Sequence, residues 1–177
     1  MINQEVQLTI LESSLNMGRP QGYPVPEHKS ERLFYIQRNK NTATVVYKVN
    51  ELAGGVLNLE RPMELCWVTF DASGTENDCH ELNAIQLALA YGYVSTPIQF
   101  NLIRFCFKAY MDLVFYLIKN DFGYRVEVEL NHKLYVLKSI FVCTEDLGVF
   151  PQVKFADLYL SQPQTDNDFV HRIYFNQ

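Results

Sequence analysis

Two cations and three amides fall within six consecutive residues, Gln37-Arg38-Asn39-Lys40-Asn41-Thr42, between two apolar runs. Guanidinium and ammonium groups carry full charge and several N–H donors, so on one rim they could hold a carboxylate, a phosphate or a sugar. As structure alone, the same residues make a hairpin turn whose Asn side chains accept positive φ and whose charges keep a sheet edge soluble. Arg104 is a further cation in an unusual place. It interrupts Leu102-Ile103-Arg104-Phe105-Cys106-Phe107, and strand alternation puts it on the face of Leu102 and Cys106. A cation among core positions must be paired or line a cavity. Asp157, flanked on its own face by Phe155 and Tyr159, is the carboxylate expected to meet it. Trp67, Tyr47, Tyr91, Tyr116 and Tyr159 offer apolar area with a hydrogen-bonding tip, suited to a core or to a pocket floor. The candidate ligand contacts are therefore Arg38, Lys40, Asn41 and Arg104 as polar groups, with Trp67 and Tyr91 as apolar ones.

Nucleophilic and metal chemistry have less to work with. The chain has no Gly-x-Ser-x-Gly elbow, phosphate loop, Gly-x-Gly-x-x-Gly turn or His-Glu-x-x-His helix. Cys79 stands near an expected helix start, where a thiolate would be stabilised, and His80 and Glu81 follow it. This trio is the alternative, enzymatic site. His28, His80, His132 and His171 fall in different elements without metal-ligand spacing, and neither a metal nor a cofactor is expected. Cys66, Cys106 and Cys143 lie inside apolar runs and read as reduced core thiols, with one bridge left open.

Charge restricts the partners. The 177 residues carry a formal net charge of −5, which argues against general nucleic-acid affinity. Residues 62–103 hold five acids and no Lys or Arg, while the amino-terminal 61 residues hold seven basic and six acidic side chains. No run approaches the eighteen apolar residues that a membrane-spanning helix needs, and the first residues lack the pattern of a secretory signal. A cytoplasmic location is the resulting expectation. With 48% hydrophobic residues and only 8 Gly and 7 Pro, the chain can bury one substantial core. It reads as a single domain over 1–177, with an amino-terminal strand and Pro/Gly-containing arm over 1–31 and a β core over 32–177.

Elements that could position these residues are mostly strands. Tyr124, Val126, Val128 and Leu130 alternate with polar neighbours, as in a strand with one wet face. Asn131-His132 reads as a tight turn into a second strand, Leu134 to Val142. Other expected strands are Leu33 to Arg38, Thr42 to Val49, Met63 to Phe70, Ile98 to Tyr110, Leu113 to Lys119, Val153 to Leu160 and Phe169 to Phe175, and residues 6–11 could add an edge strand. One helix is expected over about 79–91, capped by Asp78 with Glu81, burying Leu82, Ile85 and Leu89, and ended by Gly92. About nine strands and one helix suggest an antiparallel β-barrel-like domain, with a two-sheet sandwich as the alternative.

The run Leu33-Phe34-Tyr35-Ile36-Gln37-Arg38-Asn39-Lys40-Asn41-Thr42, continuing through Val45-Val46-Tyr47, resembles the opening signature of a bacterial, Bacteroidetes-type domain family of unknown function. Leu57-Asn58, Pro62, Trp67, Ile85-Gln86, Ala90-Tyr91-Gly92 and Ile140-Phe141-Val142 fit the same pattern over roughly residues 32–160. The resemblance implies a single domain of bacterial source and transfers no catalytic residue. A basic residue commonly follows Ile-Gln in that pattern, and Leu87 stands there in this chain.

The leading expectation is a non-enzymatic binding domain for a small or extended ligand, with an anion among the candidates. The alternatives are a hydrolase or transferase around Cys79, His80 and Glu81, and a structural or assembly protein that forms homo-oligomers through exposed strand edges.

Overall fold

The computed structural model describes residues 19–146, 151–165 and 167–175. Residues 6–11, read above as an edge strand, lie outside the described residues, as does most of the segment before the arm.

The chain is mainly β. Strands β1 (Arg32–Arg38) and β2 (Asn41–Val49) form a hairpin, and β3 (Glu51–Leu52) and β4 (Val56–Leu57) a small separate one. Next come β5 (Met63–Phe70) and β6 (Glu76–His80), then a short helix α1 (Ala84–Gln86) continuing into a π-helical turn over Leu87–Tyr91. A meander follows: β7 (Tyr93–Gln99), β8 (Leu102–Phe107), β9 (Tyr110–Asn120), β10 (Gly123–Leu130) and β11 (Lys133–Asp146). Strands β12 (Pro151–Ser161) and β13 (Asp168–Tyr174) complete the described chain.

Nine strands form one curled path in the order β6-β5-β2-β1-β11-β10-β9-β8-β7, with β12 and β13 branching from β11. The curled sheet is a half-barrel whose end strands β6 and β7 do not pair. The antiparallel expectation needs one correction. β1 runs parallel to β11, with Tyr35 opposite Ser139 and Arg38 opposite Val142, so the sheet is mixed. Two-residue hairpin geometry cannot produce such a pair, which joins distant parts of the chain.

Local chemistry explains most elements. Asn131 and His132 both have positive φ, as a two-residue hairpin turn requires. Asn101 also has positive φ, and there the expected strand Ile98 to Tyr110 folds back on itself as the β7–β8 hairpin. The helix is the largest local error. Residues 78–80, expected to cap and begin it, belong to β6 and pair with β5 instead, and the true capping box is Asn83 with Gln86. With the start displaced, Ile85 and Leu89 are exposed and Tyr91 is buried. Gly92 does end the helix, because a Cβ there would stand 1.9 Å from the Leu87 carbonyl oxygen.

Aromatic rings fill the middle of the half-barrel. Phe34 stacks on Tyr47 at 4.3 Å, Phe105 on Phe115 at 5.3 Å, and Phe107 meets Phe34, Tyr47 and Phe115 edge to face. Burial of such rings dominates core energetics. Phe115→Ala is expected to cost about 3–5 kcal/mol in chemical denaturation, whereas a cost below about 1 kcal/mol would mean that the ring cluster is not the core.

The wet face assigned to β10 is only partly wet. Glu127 is buried and accepts from Arg125 at 2.6 Å. A second ion pair ties β6 to the start of β1: both guanidinium Nη atoms of Arg32 donate to the Glu76 carboxylate, and Lys29 stands 3.7 Å from it. The hydrogen bonds from Arg32 hold the Glu76 carboxyl down at about 2, from an ordinary 4.5. A carboxyl with a lower pKa folded than unfolded contributes stability that is full above its unfolded value and lost as pH falls through its folded one. Stability should therefore decline as pH falls from 4.5 toward about 2, and Glu76→Gln should lower stability at neutral pH and flatten that decline. Denaturation profiles of both proteins across this range check it; superimposable acid limbs would remove the pair as the cause.

Candidate functional site

Alternation along β1 places Phe34, Ile36 and Arg38 on its inner face. Exposure rises along this row, from 2% at Phe34 to 7% at Ile36 to a half-buried Arg38. Register carries the same face across the sheet. Ile36 lies opposite Ile140, which lies opposite Leu158; Arg38 lies opposite Val142, then Ala156, then Ile173. These two rows floor a cavity of about 440 Å³. Phe107, Leu113 and Phe115 form its opposite wall, and Leu89, Ala109, Pro151 and Val153 stand at its exposed rim. The volume lies in the range of small-molecule pockets.

Among the described residues, Arg38 is the one charged residue that lines this cavity. Its Nη2 donates to the Tyr91 hydroxyl, and its guanidinium lies 5.3 Å from the Tyr91 ring centre and 5.9 Å from that of Trp67. Trp67 and Tyr91 meet edge to face, with centroids 6.3 Å apart. No carboxylate among the described residues pairs with Arg38. Burial raises the Tyr91 phenol above its ordinary pKa, and the Arg38 charge offsets part of that rise. Tyr91 is therefore a neutral hydroxyl at physiological pH, able to accept from Arg38 and to donate to a second group. Its backbone is fixed as well, since the buried Tyr47 hydroxyl donates to the Tyr91 carbonyl at 2.6 Å.

Three of the six expected contacts, Arg38, Trp67 and Tyr91, thus come together. Lys40 and Asn41 do not join them. They occupy the exposed turn side, where the Asn41 carbonyl, like that of Arg38, accepts from the Tyr23 hydroxyl of the arm. Arg104 is also elsewhere: it is exposed on the outer face of β8, opposite Thr96 and Tyr116. The expected Arg104 to Asp157 pair does not form. Asp157 is fully buried and accepts two hydrogen bonds from Arg172, its neighbour across β12 and β13, at 2.6 and 2.8 Å. Tyr116 and Tyr159 lie on outer faces, Tyr159 beneath the Arg19 guanidinium at 4.8 Å.

Cys79 does not meet the condition expected of a nucleophile. Cys79 is on a strand rather than at a helix terminus, and it forms a disulfide with Cys66 of the neighbouring β5, with Cα atoms 5.5 Å apart. The bridge left open by the sequence thus involves Cys66, which corrects its reading as a reduced core thiol; Cys106 and Cys143 remain free. Among the described residues, no three His, Cys, Asp or Glu side chains converge as metal ligands.

The model of the family described as a domain of unknown function (DUF4833) matches residues 34–172. The chain belongs to this family. The matched span of the DUF4833 domain runs from the inner-face row of β1 to Arg172, so it contains Arg38, Trp67, Tyr91 and the cavity floor through Leu158. No curated protein and no solved structure matches the chain.

Sequence reasoning missed most of the cavity lining, because Val142, Ala156, Leu158 and Ile173 read as ordinary strand residues until register aligns them. Thiol titration in denaturant should find two reactive cysteines before reduction and four after it; four before reduction would refute the bridge.

Proposed function

We propose that this DUF4833 domain is a non-enzymatic binding module that takes an apolar ligand into the half-barrel, with Arg38, Trp67 and Tyr91 at its polar edge. The observation that carries this reading is the apolar cavity of about 440 Å³ with one cation set at its margin. Its described lining holds no His, Cys, Asp, Glu, Ser or Lys, so the commonest acid–base and nucleophilic side chains are not among the described residues where a ligand would sit, and the hydroxyls there belong to Thr144, Tyr91 and Tyr110. The bacterial source implied by the opening motif belongs to the same proposal. The Cys66–Cys79 bridge favours an oxidising compartment over the cytoplasmic location expected from the sequence. Among the described residues, no helix is long and apolar enough to cross a membrane.

A second reading, self-association, has its own observation. The edge strand β7, whose outer edge pairs with no other described strand, carries exposed Val94 and Ile98 and ends beside Phe100, which is 87% exposed. Such an edge can pair with another chain. Light scattering across concentrations tests it, and a monomer at every concentration would dismiss it.

For the cavity, an uncharged naphthylamine dye should gain fluorescence on binding the protein. Ala156→Phe, which fills the floor, and Val153→Trp, which blocks the exposed rim, should each weaken dye binding about tenfold or more, or 1.4 kcal/mol. Unchanged dye affinity in both folded variants would overturn the reading.

A further inference from the structure

The position of one charge defines the ligand more narrowly than the cavity does. Of the nineteen described residues lining the cavity, only Arg38 is charged, and none of the nineteen is acidic. Thr144, one of the few polar lining residues, already directs its hydroxyl to the Asn39 side chain at 3.1 Å. Apart from Arg38, the described lining offers only the hydroxyls of Thr144, Tyr91 and Tyr110; walls so poor in donors and acceptors suit a hydrocarbon and leave most hydroxyls of a sugar or nucleoside unpaired, which is costly once they are desolvated.

Arg38 lies where the head of an amphiphile would be. It ends the row whose other members, Phe34 and Ile36, are buried, so polarity changes along the cavity from deep apolar to superficial cationic. The guanidinium spends one N–H on the Tyr91 hydroxyl and is flanked by the Trp67 and Tyr91 rings. Its remaining N–H groups have no carboxylate among the described residues. A half-buried guanidinium of this kind is better matched by a planar monoanion, which its fork can bind through two parallel hydrogen bonds, than by a dianion, whose second charge would stay uncompensated.

Resting on the binding-module reading, we propose that the ligand is a single-chain amphiphile with a carboxylate head, of the fatty-acid type. The carboxylate pairs with Arg38 and accepts from the Tyr91 hydroxyl, and the chain runs over Ile36, Ile140 and Leu158. Trp67 is a positioning residue that holds the guanidinium through its ring face.

The test uses delipidated full-length protein and calorimetric titration with dodecanoate, dodecanol and dodecyl phosphate. Dodecanoate should bind about tenfold or more tightly than dodecanol, as expected for hydrogen bonds to a charged group. Decanoate should bind about fifteenfold more weakly than dodecanoate, through the loss of two buried methylenes. Arg38→Gln should erase the preference for the acid, bringing the dodecanoate and dodecanol affinities of the variant within about threefold of each other, about 0.65 kcal/mol, and Arg38→Lys should restore part of it. Equal affinities of wild-type protein for dodecanoate and dodecanol would overturn the carboxylate assignment while leaving the cavity reading intact. Tighter binding of dodecyl phosphate would overturn it in favour of a phosphate head. Failure of all three amphiphiles and of the uncharged dye would instead overturn the binding-module reading itself. The headgroup comparison needs no variant, so a misfolded Arg38→Gln protein would not shield the proposal.

Discussion

Everything in this domain depends on one strand meeting three neighbours. One edge of β11 is hydrogen-bonded to β12 over residues 136–146, while the other edge serves β10 over residues 133–136 and then β1 over residues 139–142. Backbone donors and acceptors that leave water must be paired, so an edge that changes partners within a few residues fixes where the two parts of the sheet diverge. The register shift between Leu137 and Ser139 falls at this change. It separates the meander β7 to β10 from the layer formed by β1, β12 and β13, and the cavity opens between the two.

The same pairing also disposes of both faces of β1. Alternation sends Phe34, Ile36 and Arg38 inward and Tyr35 and Gln37 outward. The arm covers the outward set: Gln37 is buried and donates to the Pro24 carbonyl at 2.6 Å, Tyr23 meets Phe141 edge to face, and Arg19 bonds the Ser139 hydroxyl at 3.0 Å. One strand can therefore carry a core row on one side and an arm on the other. Its last inward residue is the only one of the row that the core does not cover. The chemistry of the site follows from that position, because a guanidinium held between two rings beside apolar walls has few competing partners.

Much of this was legible in the residues. Period-two alternation located β1, β2, β5, β10 and the β10–β11 turn, and the combination of Arg38 with Trp67 and Tyr91 could be named without knowing that they touch. Local signals failed where pairing overrides propensity. Residues 76–80 carry acids that mimic a helix start, yet β5 recruits them as a strand, with the Cys66–Cys79 bridge across the pair. Arg104 and Asp157 were both recognised as charges in apolar runs, but alternation gives a face without saying whether that face is inside. For Arg104 it is the solvent side, and for Asp157 it is a covered side with Arg172 directly opposite. The parallel β1–β11 pair has no local signature, and the cavity lining could not be assembled without it.

That parallel pair also shapes how the domain comes to exist. Meander strands can zip from one tight turn to the next, but Tyr35 must find Ser139 about a hundred positions later, and folding slows as native contacts join more distant residues. During synthesis the β1–β2 hairpin is complete long before its partner edge emerges, so its apolar inner row stays uncovered until the last third of the chain arrives. The cavity is consequently among the last features to form, and truncation of the carboxy-terminal strands β12 and β13 would remove part of its floor and open the edge of β11.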